Sequence, residues 1–142
     1  MTTMRLHGHL ELIDKLSLMR SSIQRRIVRG AVSKALTPVN KSAKKYVPTK
    51  TRTLRRSIGK SVTVYPRTAT ISGRVGPRKG FVREGEDFGD LIRSATALEY
   101  GSQTMAARPF LRWAFHRNQG NMRQIMGTEI GGGILRIARG GR

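Results

Sequence analysis

The sequence has three histidines and no cysteine, so a transition metal would have to be bound mainly through histidine. His7 and His9 would lie on one face of a strand, where they could share an ion, while His116 lies far along the chain. A zinc site needs three or four protein ligands, and no third ligand follows this pair closely. We therefore interpret the histidines as surface residues and expect no metal and no other cofactor.

The acidic side chains concentrate in one place. Glu84, Glu86, Asp87 and Asp90 fall within seven positions. A metal-dependent nuclease needs carboxylates that converge on an ion, but this spacing matches no known cation loop. We expect these carboxylates to pair with the protein's own cations instead. The glycines at 131–133 lack the Lys-Ser or Lys-Thr of a phosphate-binding loop, and no Ser/His/Asp arrangement is visible. We expect no enzymatic activity.

The charge balance is the strongest feature of the composition. The chain has 28 Lys and Arg against 8 Asp and Glu, a formal net charge of +20. No acidic residue occurs between Asp14 and Glu84, an interval that holds 19 Lys and Arg. Such a surface attracts polyanions, although a basic face that only maintains solubility is the alternative.

One basic segment is the best candidate for contact with nucleic acid. It lies between two regular elements and carries Lys50, Arg52, Arg55, Arg56 and Lys60. It is either a solvated loop or a patch that faces phosphates. The chain has only one Trp, three Tyr and four Phe, so stacking on single-stranded bases is weakly supported and contact with a duplex backbone fits better.

Apolar periodicity predicts the elements of the first half of the chain. Helical spacing is present over 9–18, and a long amphipathic helix is predicted over 21–46. Pro38 interrupts this stripe without shifting its phase, which favours a kink over a new helix capped by Thr37. Alternation of β-branched residues predicts antiparallel strands over 57–65 and 68–76, with a turn at Pro66-Arg67.

The second half of the chain is less regular. We predict a flexible loop over 77–91, which either docks on a neighbour or is anchored by its own aromatic residues. A short helix is favoured over an extended segment at 92–100, ended by Gly101 in a left-handed conformation. Pro109 should occupy the first turn of a helix over 109–126, and 127–142 should form a flexible Gly-rich arm, with ILRIA as an alternative short strand.

These elements predict one α+β domain over 1–142, with a long kinked N-terminal helix packed on a small antiparallel sheet and a C-terminal helix. No apolar run is long enough for a transmembrane helix, and the first residues do not resemble a signal peptide. We therefore expect no contact with a membrane.

Two segments resemble a known family. They are AVSKALTPVNKSAKKYVPTKTRTLRRSI at 31–58 and ALEYGSQTMAARPFLRWAF at 97–115. Both are similar to the neck and tail-completion proteins of tailed bacteriophages, the head–tail joining family related to minor tail protein Z. The chain departs from the family pattern where Arg52 replaces Gly, Ser102 replaces Thr and Trp113 replaces Pro.

The resemblance implies a virion structural protein that forms a homo-oligomeric, hexameric ring around the DNA channel. Its implied partners are head-closure proteins, tail-terminator or tail-tube proteins, and the double-stranded genome in the lumen. Its implied location is the neck or tail of the virion, and the bacterial cytoplasm during assembly. The basic segment would then face the channel. Subunit-interface or core positions would be Glu99, Tyr100, Gly101, Arg108, Pro109, Phe110 and Phe115. The alternative is a free basic protein that binds DNA without sequence specificity.

Overall fold

The computed structural model describes residues 21–48, 52–81 and 87–139. The helices are α1 (Ser21–Tyr46), α2 (Arg52–Ser57), α3 (Phe88–Tyr100) and α4 (Phe110–Ala138). The strands are β1 (Ile58–Tyr65) and β2 (Thr70–Pro77), and short 3-10 turns occupy Pro66–Thr68 and Lys79–Phe81. The predicted α+β class, with a long N-terminal helix, a small antiparallel sheet and a C-terminal helix, is confirmed.

The antiparallel pair of α1 and α4 forms the main body of the fold. Contacts follow the two helices along their length, from Ile27 beside Gly133 to an edge-on contact of Tyr46 with Trp113. Both helices bury residues at steps of four, which is the spacing of one ridge on a helix surface. In α1 these residues are Ala31, Ala35, Val39 and Ala43, and in α4 they include Phe110, Ala114, Met122, Met126 and Ile130.

The two strands form a hairpin that packs on α1. Its register runs from Ile58 opposite Pro77 to Tyr65 opposite Thr70, so both strands lie within two residues of the prediction. A Cβ on Gly73 would lie 2.6 Å from the Leu36 side chain. The hairpin therefore approaches α1 more closely than a residue with a side chain would allow, and this contact stabilises two strands that would be marginal alone.

The long helix continues through Pro38. No new helix starts at Thr37, because α1 is unbroken from Ser21 to Tyr46; the bend at Pro38 stays a prediction. Proline removes one backbone donor from a helix. One turn earlier, the Lys60 ammonium donates to the Ser33 carbonyl at 2.7 Å and to the Thr37 hydroxyl at 2.8 Å. This cross-link ties β1 to α1 beside the interruption.

The predicted ending of the last helix is wrong. Residues 127–138 do not leave the helix as an arm or form a strand at ILRIA, because α4 extends to Ala138. Glycine lowers helix propensity by about 1 kcal/mol per residue relative to Ala. Tertiary packing overrides that preference here, since Met126 and Ile130 are buried and Gly133 lies against Ile27 on α1.

Two further boundaries differ from the predictions. Helix α3 begins at Phe88 rather than at 92, so the predicted loop over 77–91 is shorter, and its residues 82–86 lie outside the described part. The basic connection after α1 contains a short helix, α2, which buries Leu54 and Ser57. The predicted helix at 9–18, with His7 and His9, and the last residues of the chain, 140–142, also lie outside the described residues.

Candidate assembly joint and basic surfaces

The connection between α3 and α4 is a compact joint. The Gly101 amide donates to the Ala97 carbonyl at 2.8 Å and closes α3, and the Arg108 amide returns to the Leu98 carbonyl at 2.6 Å. Gly101 has φ 85° and ψ 171°. The positive φ is as predicted, but this is the extended region that is open essentially to glycine alone, not the left-handed helical region. We call residues 99–112 the joint.

The Glu99 carboxylate caps the first turn of α4 from the neighbouring helix. It accepts the backbone amides of Leu111 at 2.9 Å and Arg112 at 3.0 Å. Helix α4 has no side-chain cap of its own from Pro109, and the first amides of a helix need acceptors. A carboxylate at this position also interacts favourably with the helix dipole.

The same carboxylate is paired with a cation. The Arg112 Nε donates to Glu99 at 3.2 Å, and its Nη2 donates to the Glu99 carbonyl at 3.0 Å. The Glu99 side chain is only 6% exposed. Buried charges persist when they are paired and hydrogen-bonded, and here four hydrogen bonds meet at one residue. Glu99 is therefore a structural residue that fixes α3 to α4.

The residues predicted for the core or an interface separate into two groups. Phe110 is 1% exposed, and Phe115 packs partly buried against the core. Tyr100 and Arg108 are exposed. Pro109 directly precedes α4 and does not lie within its first turn, a difference of one residue from the prediction.

Exposed aromatic residues surround the joint. Trp113 is 56% exposed and Tyr100 is 61% exposed. The Arg112 guanidinium lies 5.2 Å from the centre of the Tyr100 ring, and Arg117 donates to the Tyr46 hydroxyl at 2.8 Å. We call Tyr46, Tyr100 and Trp113 the aromatic surface. Aromatic residues and Arg are enriched at protein interfaces, and no periodicity in the sequence indicated the contact of Tyr46 with Trp113 or of Arg112 with Tyr100.

The predicted basic segment does not form a single group. Arg52, Arg55 and Arg56 are exposed on or beside the short helix α2. Lys60 is half-buried on β1, and its ammonium is held by α1. Lys50 lies outside the described residues. Three arginines of the predicted set thus remain available to a phosphate, while Lys60 has a structural role as well.

A second basic surface was not predicted as a site. A groove of about 460 Å³ lies between α1 and β1. We call it the α1 groove; its lining residues are Arg25, Arg26, Arg29, Gly30, Ser33 and Val64. The sequence shows that these arginines avoid the apolar stripe of α1, but it does not show that a strand forms the second wall.

Metal ligands do not cluster in the described residues, where no group of three or more His, Cys, Asp or Glu could hold an ion. His116 is exposed, with its ring edge-on to Phe115. Of the acidic cluster, Asp90 pairs with Arg93 at 3.1 Å, as expected for a local partner, while Glu84 and Glu86 lie outside the described part. No helix among the described residues is long and apolar enough to cross a membrane.

Comparisons with protein-family models, with curated proteins and with solved structures found no match to this chain.

Proposed function

We propose that this protein is a structural component of a tailed-bacteriophage virion that completes the tail and joins it to the head, as a homo-oligomeric ring around the DNA channel. The observation that carries the proposal is the construction of the joint. The segment that resembles the neck family encloses Glu99 and Phe110 and exposes Tyr100 and Trp113.

A ring subunit needs a contact surface of fixed orientation. Closed rings use heterologous contacts, in which one patch meets a different patch on the next copy, so small changes in angle prevent closure. The joint supplies this rigidity, because the Glu99 carboxylate fixes the start of α4 to the end of α3. Tyr100 and Trp113 of the aromatic surface are then held at a defined angle at the end of α3 and the start of α4.

The charge of the chain supports a position next to the genome. Phosphate contacts carry no sequence information and allow a protein to slide along DNA. The exposed arginines of α2 are the residues that we assign to the channel side: Arg52, Arg55 and Arg56. The proposed partners are further copies of this chain, head-closure and tail-terminator or tail-tube proteins, and duplex DNA.

Assembly of the purified chain tests this proposal. We expect mass photometry and negative-stain images to show closed rings when tail tubes of the encoding virus are added. A Tyr100→Ala/Trp113→Ala variant should remain folded, since both side chains are exposed, yet fail to assemble. Tyr65→Ala is the matched control, because Tyr65 is an exposed aromatic on the hairpin. Wild-type protein that stays monomeric with tail tubes contradicts the proposal.

The α1 groove favours a second candidate, a free basic protein that binds DNA without sequence specificity. Such a protein binds duplex DNA as a monomer and gains nothing from tail tubes. Tight duplex binding that survives about 0.2 M salt, where phosphate contacts are strongly weakened, together with no assembly on tail tubes, would favour this candidate over the ring.

A further inference from the structure

We propose that the α1 groove is a binding site for the phosphate backbone of duplex DNA, with Arg26 and Arg29 as the contacting residues. The identity of the polymer rests on the proposed function, and the site itself rests on the geometry of α1 and β1. This site is separate from the α2 arginines, which the proposed function places on the channel side, and we infer that it makes the tighter contact with the duplex.

The groove presents a dense array of positive charge. Helix α1 has seven Lys and Arg and no acidic residue among its 26 positions. Arg26 and Arg29 are three residues apart, which places their side chains next to each other on the helix surface. Val64 of β1 forms the opposite wall. Two adjacent guanidinium groups in a concave site match the charge and geometry of a phosphodiester.

These two arginines have no acidic partner in the described residues. Each of three carboxylates is engaged by another cation: Glu129 by Lys34, Asp90 by Arg93 and Glu99 by Arg112. The fourth described carboxylate, that of Asp87, stands directly before the first turn of α3. The positive potential of the groove is therefore not neutralised by these carboxylates.

Lys60 adds a cation at the end of the groove that Ser33 lines. Its ammonium has three N–H donors. Two of them are used by the Ser33 carbonyl and the Thr37 hydroxyl. The charge of Lys60 therefore reinforces the site while its position remains fixed by α1.

Gly30 leaves space in the groove beside the two arginines. A Cβ on Gly30 would meet no atom within 4 Å, whereas a Cβ on Gly73 or Gly133 would collide with a side chain of α1. Glycine inside a helix costs about 1 kcal/mol relative to Ala. Gly120, Gly127, Gly131 and Gly132 of α4 are equally open, so Gly30 shows free space in the groove and is not by itself a sign of a ligand. A glycine in the groove lining does permit close approach of a backbone from outside.

The lining residues favour a duplex backbone over other polyanions. Among the described residues, no aromatic side chain lines the groove, so these residues offer no platform for unstacked bases. A membrane surface would be bound by basic residues together with exposed large apolar ones, and Val64 is the one large apolar residue among the described residues of this lining.

Duplex binding by the free full-length chain tests the site. Anisotropy of a labelled short duplex should give a Kd that rises about tenfold or more for Arg26→Glu/Arg29→Glu, with a salt slope smaller by about 2. Lys41→Glu/Lys45→Glu is the matched control, because these residues are exposed on the same helix and carry the same change of charge. We expect that control to alter Kd less than about threefold, as distant charges are screened.

An uncharged substitution tests the shape of the groove independently of its positive charge. Gly30→Met favours the helix but fills the groove, so thermal stability should be kept or raised while Kd rises several-fold. The site is overturned if Gly30→Met binds as the wild type does, or if the Lys41/Lys45 control loses as much affinity as the Arg26/Arg29 variant. It is also overturned if only Arg52→Glu/Arg55→Glu/Arg56→Glu weakens binding, or if phosphatidylserine vesicles bind as tightly as the duplex.

The same variants distinguish this inference from the proposed function. Ring assembly is read by mass photometry without DNA. Loss of duplex binding with intact rings would keep the ring proposal and place the groove in contact with DNA. Duplex binding through the groove by a chain that never assembles would keep the site and contradict the ring.

Discussion

The two ends of α4 are stabilised in different ways. At the first end, the Glu99 carboxylate satisfies the amides of Leu111 and Arg112, and Phe110 is buried beside them. Toward the last end, α4 has buried Met126 and Ile130 and a partly exposed ion pair from Glu129 to Lys34 of α1. Three consecutive glycines occupy 131–133, and Gly133 lies against Ile27 of α1.

This difference shows that a helix end can be stabilised either by hydrogen bonds to its free backbone groups or by close packing against a neighbouring helix. A capped end needs a specific acceptor, and loss of that acceptor leaves donors unpaired in a buried place. A packed end needs a small residue at the point of contact, and the glycines away from that point only weaken the helix. The two ends should therefore respond differently to substitution.

The largest expected effect is at the first end. Phe110→Ala should lower the free energy of unfolding by roughly 3–5 kcal/mol, because it removes a fully buried ring between α4 and the core. Chemical denaturation measures this change. Trp113→Ala, three residues later and 56% exposed, is the control and should cost no more than about 1 kcal/mol, which includes the loss of its edge-on contact with Tyr46. A Phe110→Ala protein of nearly wild-type stability would show that the joint is not part of the core.

The next largest expected effect comes from comparing the two glutamates that connect α4 to other helices, Glu99 and Glu129. Glu99→Ala should cost about 2 kcal/mol, since it leaves two partly buried amides without an acceptor and Arg112 without its partner. Glu129→Ala removes an ion pair with Lys34 whose side chains are 33% and 63% exposed, so it should cost less than about 1 kcal/mol.

Denaturation of both variants at low and high salt checks the comparison. Only the small Glu129 effect should shrink with salt, because a buried contact is screened far less than an exposed one. Equal losses for the two variants would contradict the distinction between a buried cap and a surface pair.

The sequence predicted the elements whose own residues carry the signal. The apolar stripe of α1 and the alternation of β1 and β2 are local patterns, and tertiary packing agrees with them. The extension of α4 was missed, because its glycines oppose a helix locally and only the contact of Gly133 with Ile27 explains one of them. The start of α3 was missed for a similar reason, since the glycine and acidic residues just before it resemble a loop.

The candidate site was predictable only in part. The family resemblance marked Glu99 and Phe110, but it did not distinguish a capping carboxylate from an interface residue. That distinction depends on a contact across 12 positions of sequence, from Glu99 to Leu111. The α1 groove needs β1 as its second wall, so the helix sequence alone could show exposed arginines and not a concave site.

The smallest expected effects are at the packed end of α4. There, two Gly→Ala substitutions should change the free energy of unfolding in opposite directions. A Cβ at Gly133 would lie 2.7 Å from the Ile27 Cγ2, whereas a Cβ at Gly127 would meet nothing within 4 Å. Gly133→Ala should therefore lower the free energy of unfolding by about 1–2 kcal/mol through overpacking. Gly127→Ala should raise it by about 0.4–1 kcal/mol, because Ala reduces the freedom of the unfolded chain and favours the helix. Thermal and chemical unfolding of both variants measure these opposite shifts. If both substitutions stabilise the protein, α4 does not approach α1 closely at Gly133, and the contact with Ile27 does not hold the last end.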